Sequence, residues 1–554
     1  MNHSIIIYML GWIMNIEAAL MLIPILTAVV YKEGIISCYA GVAVVCAVLG
    51  FLCTRKKPKV RMFFAREGFV LVSLGWLVLS FFGCLPFVLS GEIPHFIDAL
   101  FEIVSGFTTT GSSILPEVEK LSKASLIWRS FSHWIGGMGV LVFILAILPM
   151  AGDYDMHIMR AESPGPSVGK LVPKIRITAK LLYIIYFCIT VATAVFLLIG
   201  KMPVFDTICM SLGAAGTGGF ACRNSGQAGY TVYQQAVLSI AMILFGINFN
   251  VYYLLLIRKP KEAFKCEEMR GYLAIILIAV VLITVNIRSM FPSLFLAAHH
   301  ALFQVASIIT TTGYSTVDFD KWPEFSKCII VLLMFIGACA GSTGGGMKVS
   351  RIMIAFKEAK REISTMIHPR SVKVLKYEGK VIGNDTLRVL NCYIIVYFML
   401  FVASVLIVSL DNYDFTTSFT AVAANFNNIG PGLSVVGPAS NFSMMSYLSK
   451  TVLIFDMLAG RLETVTGNIP YAWSITFFVL AGIFLAVWLY HRFILPHPAA
   501  DHPAKEVSAS GLMKEFFTTF TTFFQKKHAT VAIAFMLLYR LPEAQLAKMG
   551  IPFL

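Results

Sequence analysis

The sequence predicts an all-α polytopic membrane protein: four fused helix–pore-loop–helix repeats around a central pore, preceded by two extra transmembrane helices. Three observations predict it. The chain is 57% hydrophobic and only 13% charged, where soluble domains carry about 25% charged residues. Apolar stretches, among them those containing residues 192–199 and 273–285, are long enough to cross about 30 Å of hydrocarbon. A Gly/Thr turn recurs four times, each time between a half-length helical segment and a longer apolar one.

Residues 1–30 have neither a cationic lead nor a small-residue cleavage site, so they read as a first spanning helix and not as a signal peptide. Residues 1–67 hold two helices and a basic loop, 68–176 the first repeat, 177–268 the second, 269–388 the third, 389–466 the fourth, and 467–554 an atypical tail. The basic residues gather in alternate loops: Arg55, Lys56, Lys57, Lys59, Arg61 and Arg66; then Arg160, Lys170, Lys174, Arg176 and Lys180; then Arg258, Lys259, Lys261, Lys265 and Arg270; then nine between Arg351 and Arg388. The intervening loops hold few. By the positive-inside rule the basic loops are cytoplasmic, and since two helices precede the first of them the N-terminus is cytoplasmic too. The net charge of +14 therefore reflects topology and a lipid bilayer partner, with no nucleic acid expected. The 11 cysteines show no C-x-x-C pair and no histidines at ligand spacing, so neither a transition-metal site nor a disulfide framework is expected.

The half-length segments fall near His95–Phe107, Pro203–Ala215, Ser293–Ile309 and Asp414–Asn427. Each is too short to span and is expected to re-enter the membrane, where irregular backbone is tolerated only inside protein or along a watery cavity. The turns that follow contain Thr109-Thr110-Gly111, Thr217-Gly218-Gly219, Thr311-Thr312-Gly313 and Asn428-Ile429-Gly430, all on the side opposite the basic loops. A single such turn is explained by helix C-capping. Four in equivalent places are repeat architecture. Glycine bends present rings of backbone carbonyls that replace a cation's water shell. Thr109, Thr217 and Thr311 add hydroxyl oxygens, Asn428 adds an amide oxygen, and the half-helix C-termini favour a cation.

The segments FTTTGSS (107–113), GTGGFACR (216–223), TTTGYSTVDF (310–319) and NFNNIGPG (425–432) resemble the four filters of the Trk/Ktr/HKT superfamily. GSTGGGMKVSR (341–351) and MLAGRLE (457–463) resemble two signatures of the Trk potassium-uptake membrane subunits, and the resemblance spans about residues 1–463. It implies potassium uptake across the bacterial inner membrane, with the potassium ion as substrate, no cofactor in this chain and no enzymatic activity. It also implies a homodimer docked to a cytosolic nucleotide-binding gating-ring subunit. Nothing here resembles that nucleotide domain. In the superfamily a serine replacing the first filter glycine goes with sodium permeation; here Gly111, Gly219, Gly313 and Gly430 imply potassium, with a sodium-permeable or sodium-coupled relative as the alternative.

Gly341-Ser342-Thr343-Gly344-Gly345-Gly346 interrupts the second helix of repeat three, where each glycine costs about 1 kcal/mol relative to alanine. The resemblance makes it an intramembrane gate beneath the filter; a passive kink is the alternative, and a phosphate cradle lacks its preceding strand. Lys348 and Arg351 end the run as part of the gate or as snorkelling anchors. Arg461, an arginine within a span, is expected as an electrostatic barrier below the filter, or else as a partner of Asp456 or Glu463. Outer acids (Asp98, Glu102, Glu117, Glu119, Asp206, Asp318, Asp320, Asp411 and Asp414) steer cations or form solvated loop surface. His133, beside Trp134, reads as a packing residue. Segments 467–482 and 535–550 resemble a major-facilitator permease fragment, and the basic loop after residue 490 breaks the charge rule, so the tail reads as a fusion of two reading frames.

Overall fold

The computed structural model describes residues 3–58, 65–137, 139, 175–370 and 373–461. All lie in the compact unit Met1–Leu480; the second unit, Ala481–Leu554, lies outside the described residues. So do Glu463, the tail from residue 467, and most of the basic loop expected after Met150.

Helices α1 (His3–Leu20) and α2 (Leu22–Tyr31) form one span, and α3 (Ile36–Thr54) returns. Small residues let α1 and α3 touch backbone to backbone: a methyl group on Gly11 would lie 2.9 Å from the Gly50 carbonyl oxygen, the close approach that membrane helices use in place of a hydrophobic driving force. Four units follow. Their first helices are α4 (Ala65–Leu89), α7 (Ile175–Ile199), α11 (Glu267–Ile287) and α15 (Asn384–Val408). Exposed Leu277, Ile278, Val281 and Val285 on α11 form an outward apolar face suited to lipid.

Each first helix leads to a half-helix: α5 (Phe96–Phe107), α8 (Val204–Gly216), α12 (Leu294–Ile309) and α16 (Phe415–Phe426). Two of their starts, those of α12 and α16, follow from side-chain capping. The Ser293 hydroxyl accepts the Leu296 amide at 3.2 Å and the Asp414 carboxylate accepts that of Thr417 at 3.2 Å, satisfying amides that a helix N-terminus leaves open.

The second helices are α6 (Lys123–Gly137), α9 (Val232–Phe245), α13 (Glu324–Ile336) and α17 (Tyr447–Arg461). The break in unit three's second helix is the interruption expected at the glycine run; unit two's second helix, expected to be continuous, breaks as well. Helix α9 turns by 89° into α10 (Phe249–Leu256), and α13 stops at Gly337, whose φ is +72°. The two breaks satisfy each other, the Cys339 amide bonding the Gly246 carbonyl at 3.1 Å and the Phe249 amide that of Gly341 at 3.0 Å. Polar backbone at membrane depth is thus paired internally. Beyond the loop, α14 (Val349–Ile367) leads to a hairpin pairing Lys376–Tyr377 with Lys380–Val381. Among the described residues, six helices are long and apolar enough to cross a membrane, or seven with the bent pair as one span.

Candidate functional site

The four turns share one backbone conformation. Thr109, Thr217, Thr311 and Asn428 have φ of 53–57°, and the glycine two residues on, Gly111, Gly219, Gly313 or Gly430, has φ of 80–101°. Left-handed β-branched residues are rare and strained, so three threonines held this way show that the surrounding fold dictates the turn.

The turns close a ring. A methyl group on Gly111 would overlap the Gly218 carbonyl oxygen, one on Gly219 that of Thr312, one on Gly313 that of Ile429, and one on Gly430 that of Thr110, all within 3.0 Å. Each unit's glycine therefore abuts the middle carbonyl of the next unit's turn, in the order one, two, three, four and back to one. The expected filter residues come together around one axis, with the C-terminal end of a half-helix at each turn. Seams are bonded across: Ser112 Oγ donates to the Gly430 carbonyl at 3.1 Å and Asn428 Nδ2 to Thr110 Oγ1 at 2.9 Å.

At the inner end of the ring, Thr109 Oγ1 and Asn428 Oδ1 are buried and without a hydrogen-bond partner among the described residues. Buried oxygens are normally bonded, so these two are acceptors left for something else. In unit three that position is occupied, since the Gly345 amide donates to Thr311 Oγ1 at 2.6 Å. The 341–346 loop thus lies against the ring. A methyl group on Gly344 would sit 2.9 Å from the Thr310 carbonyl oxygen, and one on Gly345 2.7 Å from that of Asn427. Glycine is needed here because loop and turns meet backbone to backbone.

Lys348 does not snorkel. It is 1% exposed and donates to the Gly344 carbonyl. Arg351 packs on the Tyr393 ring at 4.4 Å. Glu268 holds both ends of the loop: its Oε1 accepts the Ala340 amide at 2.6 Å and the Ser350 amide at 3.2 Å. The Glu378 carboxylate, in the turn of the 376–381 hairpin, accepts the Glu268 amide at 3.0 Å. Glu268→Ala orphans two buried amides, each worth about 1–3 kcal/mol, and is expected to lower the melting temperature in detergent, whereas Glu268→Gln keeps an acceptor and melts nearer the parent. Equal melting of the two variants would contradict the anchoring role.

Arg461 donates to the Thr343 carbonyl at 3.1 Å, to that of Gly137 at 3.0 Å, and to that of Gly136. It therefore joins the loop of unit three to the end of α6 in unit one. Asp456 is bonded to Ser404 at 2.7 Å.

Several of the outer acids lie on solvated loop surface, as one sequence reading has it, and most are bonded to neighbouring loop groups. Asp98 pairs with Lys450 at 2.7 Å, Asp206 with Arg223 at 2.6 Å and Asp318 with Lys321 at 3.3 Å. Glu117 pairs with Lys120 at 2.9 Å. Asp320, Asp411 and Glu119 accept the amides of Ser434, Ser446 and Asn224. These carboxylates fasten loops. Glu102 is not at the mouth at all but fully buried. His133 is more than packing: its Nδ1 bonds the Gly106 carbonyl at 2.8 Å and its Nε2 accepts the Phe220 amide at 3.3 Å, linking units one and two. Sequence reasoning missed Glu17, Glu102 with Arg129, and Glu268. Glu17 is buried with both carboxylate oxygens unpartnered among the described residues; a lone carboxylate in an apolar helix was the available signal.

A family model described as TrkH, cation transport protein, matches residues 32–291 and 275–474. The chain is 35% identical over 478 residues to the Trk system potassium uptake protein TrkH of Salmonella typhimurium, covering 84% of this chain and 98% of that one. It is 32% identical over 473 residues to the Trk system potassium uptake protein TrkG of Escherichia coli K12, covering 84% and 97%. The crystal structure of the potassium transporter TrkH from Vibrio parahaemolyticus superposes with a TM-score of 0.75 at 32% identity, covering 84% of this chain and 97% of that one.

Proposed function

The chain belongs to the TrkH cation transport family, and from this premise we propose that it takes up potassium through the ring of four turns, with the 341–346 loop as the gate. It is a multi-pass membrane transporter and not an enzyme. The ring carries this assignment: four identical bends place the carbonyls of Thr110, Gly218, Thr312 and Ile429 beside the glycines of neighbouring units, an arrangement suited to exchanging an ion's water shell for fixed oxygens. The unpartnered oxygens of Thr109 and Asn428 supply further ligands beneath it, and Thr217 and Thr311 hold the equivalent positions. Thr312, Ile429 and the four glycines complete the ion path. The sodium-permeable alternative is not favoured, because all four turn positions are glycine and the relatives are named for potassium.

The gate is the segment from Gly341 to Gly346 with Lys348, and Arg461 is the barrier beside it. The chain sits in the bacterial inner membrane with its N-terminus cytoplasmic, as the alternating basic loops support. It acts as the membrane subunit of a multi-component system, since the relatives carry the name Trk system. In the finer reading it is a homodimer docked to a cytosolic nucleotide-binding gating ring, and carries no cofactor of its own.

The test is growth of a potassium-uptake-deficient bacterial host on limiting potassium. The parent chain is expected to restore growth. Gly111→Ser, which forces a side chain against the Gly218 carbonyl at a φ of +82°, is expected to lower potassium uptake and admit sodium. Rescue that ignores this substitution overturns the filter assignment.

A further inference from the structure

Behind the ring lies a charge pair that neither the ion path nor the gate uses. Arg129, on α6, is 2% exposed, and Glu102, on the half-helix α5, is fully buried. Arg129 Nη2 lies 2.6 Å from Glu102 Oε1 and its Nε donates to the same oxygen at 2.8 Å. A buried pair of this kind contributes little net stability compared with apolar replacements. What else it holds is therefore the informative part.

Both partners grip the outer ends of turns. Glu102 accepts the Ser113 hydroxyl at 3.0 Å and the Ile114 amide at 3.0 Å, two and three residues past Gly111. Arg129 reaches the same Ser113 hydroxyl at 3.4 Å and the Ala221 carbonyl at 3.5 Å, two residues past Gly219 in the next unit. Its guanidinium also stacks 4.0 Å from the centre of the Phe220 ring. One side chain thus fixes the spacing between the first and second turns, a task suited to a rigid fork with five donors.

Repeat symmetry points the same way. Nine residues before the four turn glycines stand Glu102, Met210, Gln304 and Ala421. In unit three, opposite unit one across the ring, Gln304 Nε2 donates to Ser315 Oγ at 2.9 Å, and Ser315 stands two residues past Gly313 as Ser113 does past Gly111. The polar brace occurs in the two opposite units, charged in one and neutral in the other.

We propose that Arg129 and Glu102 are positioning residues for ion selectivity, setting the distance between the first two turns so that the ring fits a dehydrated potassium ion and excludes sodium. The proposal rests on the ring being the potassium filter.

The test is the ratio of potassium to sodium uptake in vesicles containing the full chain, with melting in detergent as the folding control. Arg129→Lys keeps the buried positive charge but cannot reach Glu102, Ser113 and Ala221 together. It is expected to lower the selectivity ratio about tenfold, the equivalent of one charge-assisted hydrogen bond, while potassium flux persists. Glu102→Gln with Arg129→Met removes both charges together and is expected to give the same loss, which answers the case in which the lysine variant fails to fold. A folded variant of either kind with the parent's selectivity overturns the proposal. A parent chain that moves potassium and sodium alike overturns the filter reading instead, so the two failures are distinguishable.

Discussion

Gly313→Ala is expected to abolish potassium uptake by an otherwise folded chain. Alanine in the left-handed region costs about 1–2 kcal/mol, and Gly313 has φ of +84°. The larger effect is steric. The new methyl group would overlap the Ile429 carbonyl oxygen and lie 3.0 Å from Pro431 Cδ, so the third and fourth turns must separate. These neighbours are backbone and a proline ring, which have no flexible end to swing away. Because the turns abut cyclically, displacement at one seam changes the whole aperture. The expected loss is on the order of a hundredfold, the scale of a 1 Å misplacement in a preorganised site. Rubidium uptake into vesicles measures it, with size-exclusion behaviour confirming the fold. Uptake within a factor of about two of the parent, a change below 1 kcal/mol, would mean the ring does not set the ion path.

Arg461→Ala is expected to act in the opposite direction and raise the flux. Its guanidinium ties the Thr343 carbonyl in the loop to the Gly136 and Gly137 carbonyls across the ring, and it places a positive charge beneath the turns. Hydrogen bonds to charged groups contribute about 1.5–3 kcal/mol each. Losing one from the closed arrangement therefore favours the open loop by roughly tenfold or more. Arg461→Lys separates the two contributions, since it keeps the charge and cannot bond three carbonyls at once. If the tether dominates, lysine behaves like alanine; if the charge dominates, it behaves like the parent. Flux equal to the parent's in a folded alanine variant would remove Arg461 from both roles.

The half-helices were legible in the sequence because their ends are local events. The expected starts at His95, Pro203, Ser293 and Asp414 are the residues that precede the first helical turns, and the ends follow from the turn glycines. The interruption of the second helix in unit three was legible as well, from its glycine run, but the break in unit two was not. Helix α9 reads as a continuous apolar run, yet it bends at Gly246, where Tyr272 and Thr310 of unit three press against the backbone. Within its own sequence the bend is marked by Gly246 and by Asn248, whose side chain caps α10 by accepting the Asn250 amide at 2.9 Å. The grip of Arg129 on Glu102, and of Glu268 on the loop, was hidden. Residues far apart in sequence declare themselves as partners only once packing has removed water from both.

The sequence by itself determined the membrane class, the four repeats and the glycine bends, because hydrophobic length and glycine's freedom at positive φ act within a few residues; the left-handed Thr109, Thr217, Thr311 and Asn428 that precede them are imposed by the surrounding fold. Only the tertiary structure decided the cyclic order of the turns, the seating of the 341–346 loop against Thr311 and Asn427, and the bonding of the outer carboxylates. The first depends on contacts between units, the second on contacts within unit three and with unit four, and the third on which loop groups the packing brings beside each carboxylate. The ring bonds Ser112 to Gly430 and Asn428 to Thr110 across units, and Gly345 to Thr311 within unit three, and among the described residues leaves the Thr109 hydroxyl and the Asn428 amide oxygen open.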